Sequence, residues 1–271
     1  MEDDTDWDLR IKDQLEDFAR ASQLLVQPLV GTKDRFLDPT YYADAETSGG
    51  YNSDPPHFDI SPSSRDYKAI AKPTSSPYGD IENWDLLWLG HCGHKMPPVT
   101  EDLPFIPLGR VPIFDDHTVP EKQHVDMQFG DSQVVDQYPH HTRVVSRARE
   151  NVCTNAYAVT LPMARRILYE LGIKEMRGAI DIEIRDMCDG TRGRDRNVCL
   201  SVSPMLFIHH RPRAVKASFS DIGDLKGGVS ERAFSRNLRW PVKVNLPKLV
   251  KGQTDYIDLF PDGQPRPDLH F

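Results

Sequence analysis

The fold of this chain is indicated most clearly by the stretch TNAYAVTLPMARRILYELG, residues 154–172. Its opening residues, Thr154–Thr160, favour a β-strand, and the residues after Pro162 favour a helix. Thr160 suits the N-cap of that helix, Pro162 suits its first turn, and Gly172 suits the position just after its end. A strand followed directly by a helix is typical of α/β proteins, so the sequence predicts an α/β fold.

Four further segments fit that fold class. Apolar residues recur every three or four positions over 8–26, which predicts an amphipathic helix that Pro28 and Gly31 end. The run Trp84–Gly90 is short, apolar and bounded by Asn83, as expected of a buried strand. We also predict a short helix over Ile180–Cys188 and a strand over Leu200–Ile208.

The remaining segments predict long irregular loops. Residues 31–80 are rich in Ser, Pro, Tyr, Asp and Gly without a regular period, and we interpret them as a loop or insertion, partly disordered. Residues 93–142 are rich in Pro, His and Asp and are predicted to be another loop. We divide the chain into a domain over 1–225 and a C-terminal extension over 226–271.

Composition and charge exclude several classes of protein. The chain has 271 residues and a net charge of −8, which argues against general nucleic-acid binding. No window approaches about 18 consecutive apolar residues, so no transmembrane segment is expected. The acidic N-terminus is unlike a signal peptide, and neither a Walker loop nor a GxGxxG motif occurs.

The four cysteines permit two disulfides in three connectivities. Cys188 and Cys199 flank a short loop, which makes a local bridge sterically easy. The alternative is four reduced, mostly buried thiols. A zinc site is a further alternative, because cysteine and histidine are the ligand types that zinc prefers. Its candidate ligands are His91, Cys92, His94, Cys153 and the His209/His210 pair.

An acidic cluster opens the chain, with five carboxylates in Glu2–Asp8. Five such groups repel one another unless solvent or a cation neutralises them, and hard divalent ions prefer carboxylate oxygens. Glu2 and Asp4 are two positions apart, so on an extended backbone they point the same way and can share one ion. The alternative is an acidic, flexible terminus with no binding role.

Five segments in this order resemble glycosyltransferase family 25, the lipooligosaccharide and procollagen galactosyltransferases, and in particular its fungal branch. The WDLLWLGHCG segment is the most specific of them. The segments are EDDTDWD (2–8), WDLLWLGHCG (84–93), CTNAYAVT (153–160), AIDIE (179–183), and SPMLFIHH (203–210) followed by Ser220-Asp221-Ile222.

The resemblance implies a GT-A-like nucleotide-diphospho-sugar transferase fold. It also implies a metal-dependent, inverting transfer of a galactose-like hexose from a UDP-sugar donor to a hydroxyl of a glycan or protein acceptor. The acidic motif Glu2-Asp3-Asp4 would hold Mn²⁺, or Mg²⁺, against the donor diphosphate. Two phosphates and three carboxylates cannot sit together without such a cation, which also stabilises the departing UDP.

The resemblance implies further site residues. Asp181 matches a family aspartate and would act as the general base or orient the acceptor, with Glu183 and Asp186 as rivals. His209 and His210 lie where a histidine sometimes joins the metal in related folds, and only one of two adjacent strand residues can face the site. The alternative is a pair of surface histidines. Arg211, Ser220 and Asp221 are the remaining candidates, for binding the donor. Arg211 could bind phosphate, and the alternative is a solvated basic loop. Ser220 and Asp221 belong to a matching segment that lies near the acceptor side in the family.

The chain departs from the family pattern at its start, because Met1 directly precedes the acidic motif. In the family, a strand precedes that motif, and the first βαβ elements hold the uracil and ribose. Both features are missing from the pattern of this chain. We therefore expect an N-terminally incomplete relative. The family implies a location in the lumen of the Golgi or ER, but the N-terminus of this chain carries no targeting signal for it. The alternative is a truncated, non-catalytic relative that acts as a structural or partner-binding module.

Overall fold

The computed structural model describes residues 1–42, 57–97, 103–213 and 232–265. These residues form a mixed α/β structure, so the predicted fold class is confirmed at that level. The elements in chain order are β1 (Thr5–Trp7), α1 (Ile11–Val26), β2 (Phe58–Asp59), α2 (Ser64–Ala69), β3 (Leu86–Gly90), β4 (Gly109–Ile113), α3 (Gln133–Gln137), β5 (Arg143–Arg147), β6 (Ala156–Val159), α4 (Leu161–Ile167), α5 (Ile180–Asp189), β7 (Cys199–Ser203), β8 (Phe207–Arg211), β9 (Phe234–Ser235) and α6 (Val242–Val250).

The described strands form one sheet in the order β1-β8-β3-β7-β5-β4-β2, with β6 beside β3 and β9 beside β8. The sheet is mixed, since β3 runs parallel to β7 and β8 whereas β1 pairs antiparallel with β8. All five residues of β3 are buried, as the continuous apolar run predicts. Gly90 ends β3, and a Cβ there would lie 2.7 Å from the Cβ of Phe207. Only glycine therefore fits at the point where β3 packs closely against β8.

The strand–helix unit forms as predicted, except at its C-terminal end. Strand β6 leads into α4, and the Thr160 side chain accepts a hydrogen bond from the Met163 N–H at 3.4 Å, which confirms the predicted N-cap. Gly172 does not end the helix, because the chain continues as a π-helix over Leu168–Lys174. Gly172 is also absent from the residues with positive φ, which a glycine cap would require.

The first helix begins later than predicted. Helix α1 starts at Ile11 rather than Asp8, because Asp8 forms an antiparallel bridge with Pro241 directly after β1. Asp8 is fully buried and accepts hydrogen bonds from the backbone N–H groups of Arg10 (2.9 Å) and Trp240 (3.0 Å). A long-range contact with the C-terminal part of the chain thus overrides the local helical pattern.

The predicted loops contain regular structure. The range 31–80 includes β2 and α2, and the range 93–142 includes β4 and α3, so a purely irregular reading was wrong for these parts. Residues 43–56 of the first loop lie outside the described residues. These elements are two to six residues long, too short for a period to show in the sequence.

The predicted strand over 200–208 is two strands, β7 and β8, separated by a turn at the cis Ser203–Pro204 bond. After β8, residues 214–231 lie outside the description. The chain then adds β9 to the sheet and places α6 against β1, where the Lys243 N–H donates to Asp6 at 3.0 Å. The described part of the C-terminal extension therefore packs directly on the sheet.

All four cysteines form disulfides, Cys92–Cys153 and Cys188–Cys199, so the reduced alternative was wrong. The local Cys188–Cys199 bridge joins α5 to β7, as its spacing suggested. None of the helices in the described ranges combines the length and apolar character that a bilayer crossing requires.

Candidate metal centre and its surroundings

Three predicted ligands meet where β1 pairs with β8. The register aligns Thr5 with His209, and Asp4 O accepts a hydrogen bond from the His210 N–H at 2.9 Å. This pairing brings His209 Nε2 to 3.1 Å from Glu2 Oε2 and to 3.9 Å from Asp4 Oδ1. We refer to these three side chains, all partly exposed, as the Glu2–Asp4–His209 cluster.

Neighbouring segments hold this cluster in position. The Glu2 N–H donates to Asn155 O at 2.9 Å, and the Thr154 hydroxyl donates to Glu2 Oε1 at 3.0 Å. The Cys92–Cys153 disulfide lies alongside, with Cys92 Sγ 3.9 Å from His209 Nδ1. Glu2 is thus tied to the segment before β6. Two motifs that are distant in the sequence therefore lie next to each other in the fold.

Asp3 and His210, also predicted as ligands, lie outside the cluster. Asp3 is exposed, and its backbone carbonyl accepts a hydrogen bond from Lys243 Nζ at 2.9 Å. His210 Nδ1 lies 3.0 Å from the Ser235 hydroxyl and 3.5 Å from Asp6 Oδ2. For His210 this separation follows from strand alternation, which sends adjacent side chains to opposite faces.

Asp6 anchors the opposite face of β1. Burial alone would raise the pKa of this carboxyl, but hydrogen bonds from His210, Ser235 and the Lys243 N–H lower it overall. A buried carboxylate that accepts several hydrogen bonds keeps its charge. Asp6 therefore serves to join β1, β8, β9 and α6, and it is not free to bind a metal.

Of the residues assigned to the donor, Arg211 lies beside the cluster. It follows His210 on β8 and interacts electrostatically with both Asp4 and Arg236. Burial and the neighbouring Arg236 lower the pKa of Arg211, and Asp4 partly offsets this. Arg211 is thus a guanidinium near Asp4 that could bind a phosphate, whereas Arg236 forms an ion pair with Asp126. Ser220 and Asp221 lie outside the described residues.

Asp181 reaches the same neighbourhood from the first turn of α5. Its Oδ2 accepts a hydrogen bond from the Cys153 N–H at 2.8 Å, and the next residue, Thr154, holds Glu2. The rivals have structural partners instead. Glu183 forms a buried ion pair with Arg194 at 2.8 Å, and Asp186 accepts a hydrogen bond from the Thr191 hydroxyl at 3.1 Å.

The proposed zinc set is not assembled. Cys92 and Cys153 are bonded to each other, and a disulfide supplies no thiolate ligand. His91 and His94 are almost completely buried, and His91 Nε2 lies 2.9 Å from Val202 O. These histidines belong to the interior of the sheet.

A second set of titratable groups includes Asp186, and sequence reasoning missed its other members. A cleft of about 650 Å³ lies at the C-terminal end of α5 and is lined by Asp186, Asp189, Arg185 and Arg192, among others. Burial raises the pKa of Asp189 to about 6, although Arg149 and the Glu150 N–H oppose this rise. A buried carboxyl with a raised pKa in a cleft is a candidate functional group. Asp189 is one of several polar residues of α5, and nothing in the local sequence indicates that its pKa is raised.

We expect Asp189→Asn to stabilise the protein by up to about 3 kcal/mol above about pH 6, because each pKa unit corresponds to about 1.4 kcal/mol. The native state holds the Asp189 proton more tightly than the unfolded chain. Stability is therefore lost as the pH rises from the unfolded pKa to the folded one. Below about pH 4 the variant and the parent should be equally stable.

Urea unfolding at a series of pH values measures this effect. Asp195→Asn is a matched control, because Asp195 is exposed in the loop after α5, and it should leave the pH dependence unchanged. A gain for Asp189→Asn that is the same at pH 4 and pH 8 would contradict the assignment.

Comparison with known proteins finds no matching family model, no matching curated protein and no matching solved structure. The chemistry of the site is therefore argued from its own residues. Two carboxylates and one imidazole, partly exposed and within 4.8 Å of one another, form a donor set for a divalent cation.

Proposed function

We propose that this protein is a metal-dependent glycosyltransferase whose metal is held by Glu2, Asp4 and His209. The observation that carries the proposal is the contact of His209 Nε2 with Glu2 at 3.1 Å and with Asp4 at 3.9 Å. Two oxygen donors and one nitrogen donor suit Mn²⁺, and they suit Mg²⁺ less well because Mg²⁺ favours oxygen ligands alone. The fold that goes with this proposal is GT-A-like.

The charges around the cluster support a nucleotide-sugar donor. A divalent cation would offset the charges of Glu2 and Asp4, and it would also neutralise the charge of the diphosphate leaving group. Arg211 adds positive charge beside Asp4. The class of donor, a UDP-hexose, and the inverting course of the transfer rest on the family resemblance of the sequence motifs.

Asp181 is the proposed general base. Its Oδ2 is fixed by the Cys153 N–H, which orients the carboxylate next to the segment that holds Glu2. In an inverting transfer this carboxylate would take the proton from the attacking acceptor hydroxyl as the nucleotide leaves from the opposite face. Such a base contributes on the order of 10²–10⁴-fold to the rate.

We expect Mn²⁺ together with UDP to raise the melting temperature of the purified protein by about 5 °C or more at saturating ligand. Glu2→Gln and Asp4→Asn should each abolish the rise, because they remove a charged ligand with little change in shape. Asp3→Asn is the matched control and should retain the rise, since Asp3 is exposed outside the cluster.

Release of UDP from a panel of UDP-hexoses tests the reaction itself. Asp181→Asn should keep the thermal shift but lower turnover about 100-fold or more, since the amide oxygen can still accept the Cys153 hydrogen bond. If Mn²⁺ and UDP leave the melting temperature unchanged, donor binding by this chain is excluded and the proposal fails.

A second candidate is a non-catalytic partner-binding module. One observation favours it: large apolar side chains around α4 and the π-helix are exposed, including Leu168 at 65% and Ile173 at 72%. Transfer by the purified chain that depends on Asp4 and Asp181 would set this candidate aside. Absence of any UDP binding would leave it as the better account.

A further inference from the structure

A second group of metal-ligand side chains lies far from the Glu2–Asp4–His209 cluster in the sequence. His117 lies in the loop after β4, His141 just before β5, and Asp262 in the segment after α6. Their ligand atoms all lie within 4.8 Å of one another, with His141 Nε2 3.7 Å from Asp262 Oδ1. The rings of His117 and His141 have their centroids 5.0 Å apart.

One ring nitrogen of His141 is hydrogen-bonded to the backbone, which leaves the other ring nitrogen as a potential ligand atom. His141 Nδ1 lies 2.7 Å from the backbone carbonyl of Val119. A carbonyl only accepts hydrogen bonds, so Nδ1 carries the proton, and in the neutral ring Nε2 carries the lone pair. Fixing one ring nitrogen on a carbonyl in this way is the usual outer-shell arrangement of a metal-binding histidine.

His141 Nε2 lies 3.7 Å from Asp262 Oδ1, a separation too long for a hydrogen bond and close to that of two ligands of one ion. The His141 backbone has a φ of 57°, in the left-handed region, which costs energy for a residue other than glycine. Such strain is commonly found at functional positions. The loop holds it through the hydrogen bond from the Asp116 N–H to His141 O at 2.9 Å.

Arg239 positions two of the three residues. Its Nη1 donates to His117 O at 3.2 Å and lies 3.0 Å from Asp262 Oδ1. Arg239 also forms an ion pair with Asp258, at 2.6 Å, so its charge is shared between the two carboxylates. The guanidinium thus orients His117 and Asp262. Its Nη1 also donates to Asp262 Oδ2 at 3.2 Å, so a metal at this site would share the carboxylate with Arg239.

We propose that His117, His141 and Asp262 bind a divalent transition-metal ion of the zinc class, with a remaining position for solvent. Two imidazoles and one carboxylate are ligands that Zn²⁺, Co²⁺ and Ni²⁺ accept. Tetrahedral ligands at about 2.0–2.1 Å are separated by about 3.4 Å, close to the 3.7 Å between His141 and Asp262. The bound ion would fasten the segment after α6 to the loops that flank β4 and β5.

This site is distinct from the first in its chemistry. The Glu2–Asp4–His209 cluster is rich in oxygen donors, whereas this one is rich in nitrogen donors. The proposal does not depend on glycosyl transfer, and its test uses a background in which the first cluster is removed by Glu2→Gln, Asp4→Asn and His209→Gln.

Titration of that full-length variant with Co²⁺, followed by visible absorbance, tests the proposal. One equivalent should bind with the intense d–d bands of a four- or five-coordinate ion, and Zn²⁺ should displace it. Loss of an outer-shell partner alone weakens metal binding about 10–100-fold, so Asp262→Asn and His141→Ala should each weaken it at least about tenfold. His140→Ala is the matched control, since His140 is the exposed neighbour of His141, and it should bind as before.

Asp262→Asn keeps the proposal testable if His141→Ala fails to fold, because Asp262 is nearly half exposed. Three results would overturn the proposal: no d–d absorbance at millimolar Co²⁺, unchanged affinity in Asp262→Asn, or equal weakening in His140→Ala. Each can be obtained whether or not the protein binds UDP, so the failure of this site and the failure of the proposed function remain distinguishable.

Discussion

Replacing Cys92 and Cys153 together with alanine is expected to lower the free energy of unfolding by about 4 kcal/mol. The disulfide closes a loop with a sequence separation of 61, and the chain-entropy model gives about that value for a loop of this length. The bond also lies beside His209 and next to the backbone N–H that holds Asp181. We therefore expect the same variant to lose the thermal shift with Mn²⁺ and UDP.

The second disulfide supplies the matched control. Cys188→Ala with Cys199→Ala opens a loop with a sequence separation of only 11, for which the same model gives about 3 kcal/mol. That bridge joins α5 to β7 and not the segment that holds Glu2, so Mn²⁺ and UDP binding should survive its removal. Equal effects of both pairs on ligand binding, or free thiols in the purified protein, would contradict this account.

The elements that the sequence predicted well are those with a strong local pattern. Strand β3 is a continuous apolar run, and Thr160 carries the side chain that an N-cap requires. Strand β4 was missed, since it is five residues long and contains both Gly109 and Pro112, which normally indicate a loop. Its pairing with β5 is a tertiary feature that no local pattern records.

The candidate site shows the same limit. Strand alternation predicted that only one of His209 and His210 faces the metal site, but which one depends on the register of β8 against β1. The His117–His141–Asp262 group could not be predicted at all, because its members come from three separate segments. No local spacing brings them together, and only the folded chain does so.

Acidification is expected to unfold the protein because of His91 and His94. Burial, with the neighbouring His94, lowers the pKa of His91 to about 3, and burial lowers the pKa of His94 to about 4. The unfolded chain binds these protons below about pH 6.5, whereas the native state does not, so stability falls as the pH decreases. Each histidine contributes about 1.4 kcal/mol per pH unit, and the pair costs about 7 kcal/mol by pH 4.

A loss of this size is comparable with the whole stability of a typical domain, about 5–15 kcal/mol. The double variant His91→Gln/His94→Gln should therefore show a flatter dependence of unfolding free energy on pH between about 6.5 and 4, whatever its stability at neutral pH. His140→Gln is the control, since that ring is exposed and should leave the slope unchanged. Parallel curves for the double variant and the parent would show that these two histidines are not the groups that resist protonation.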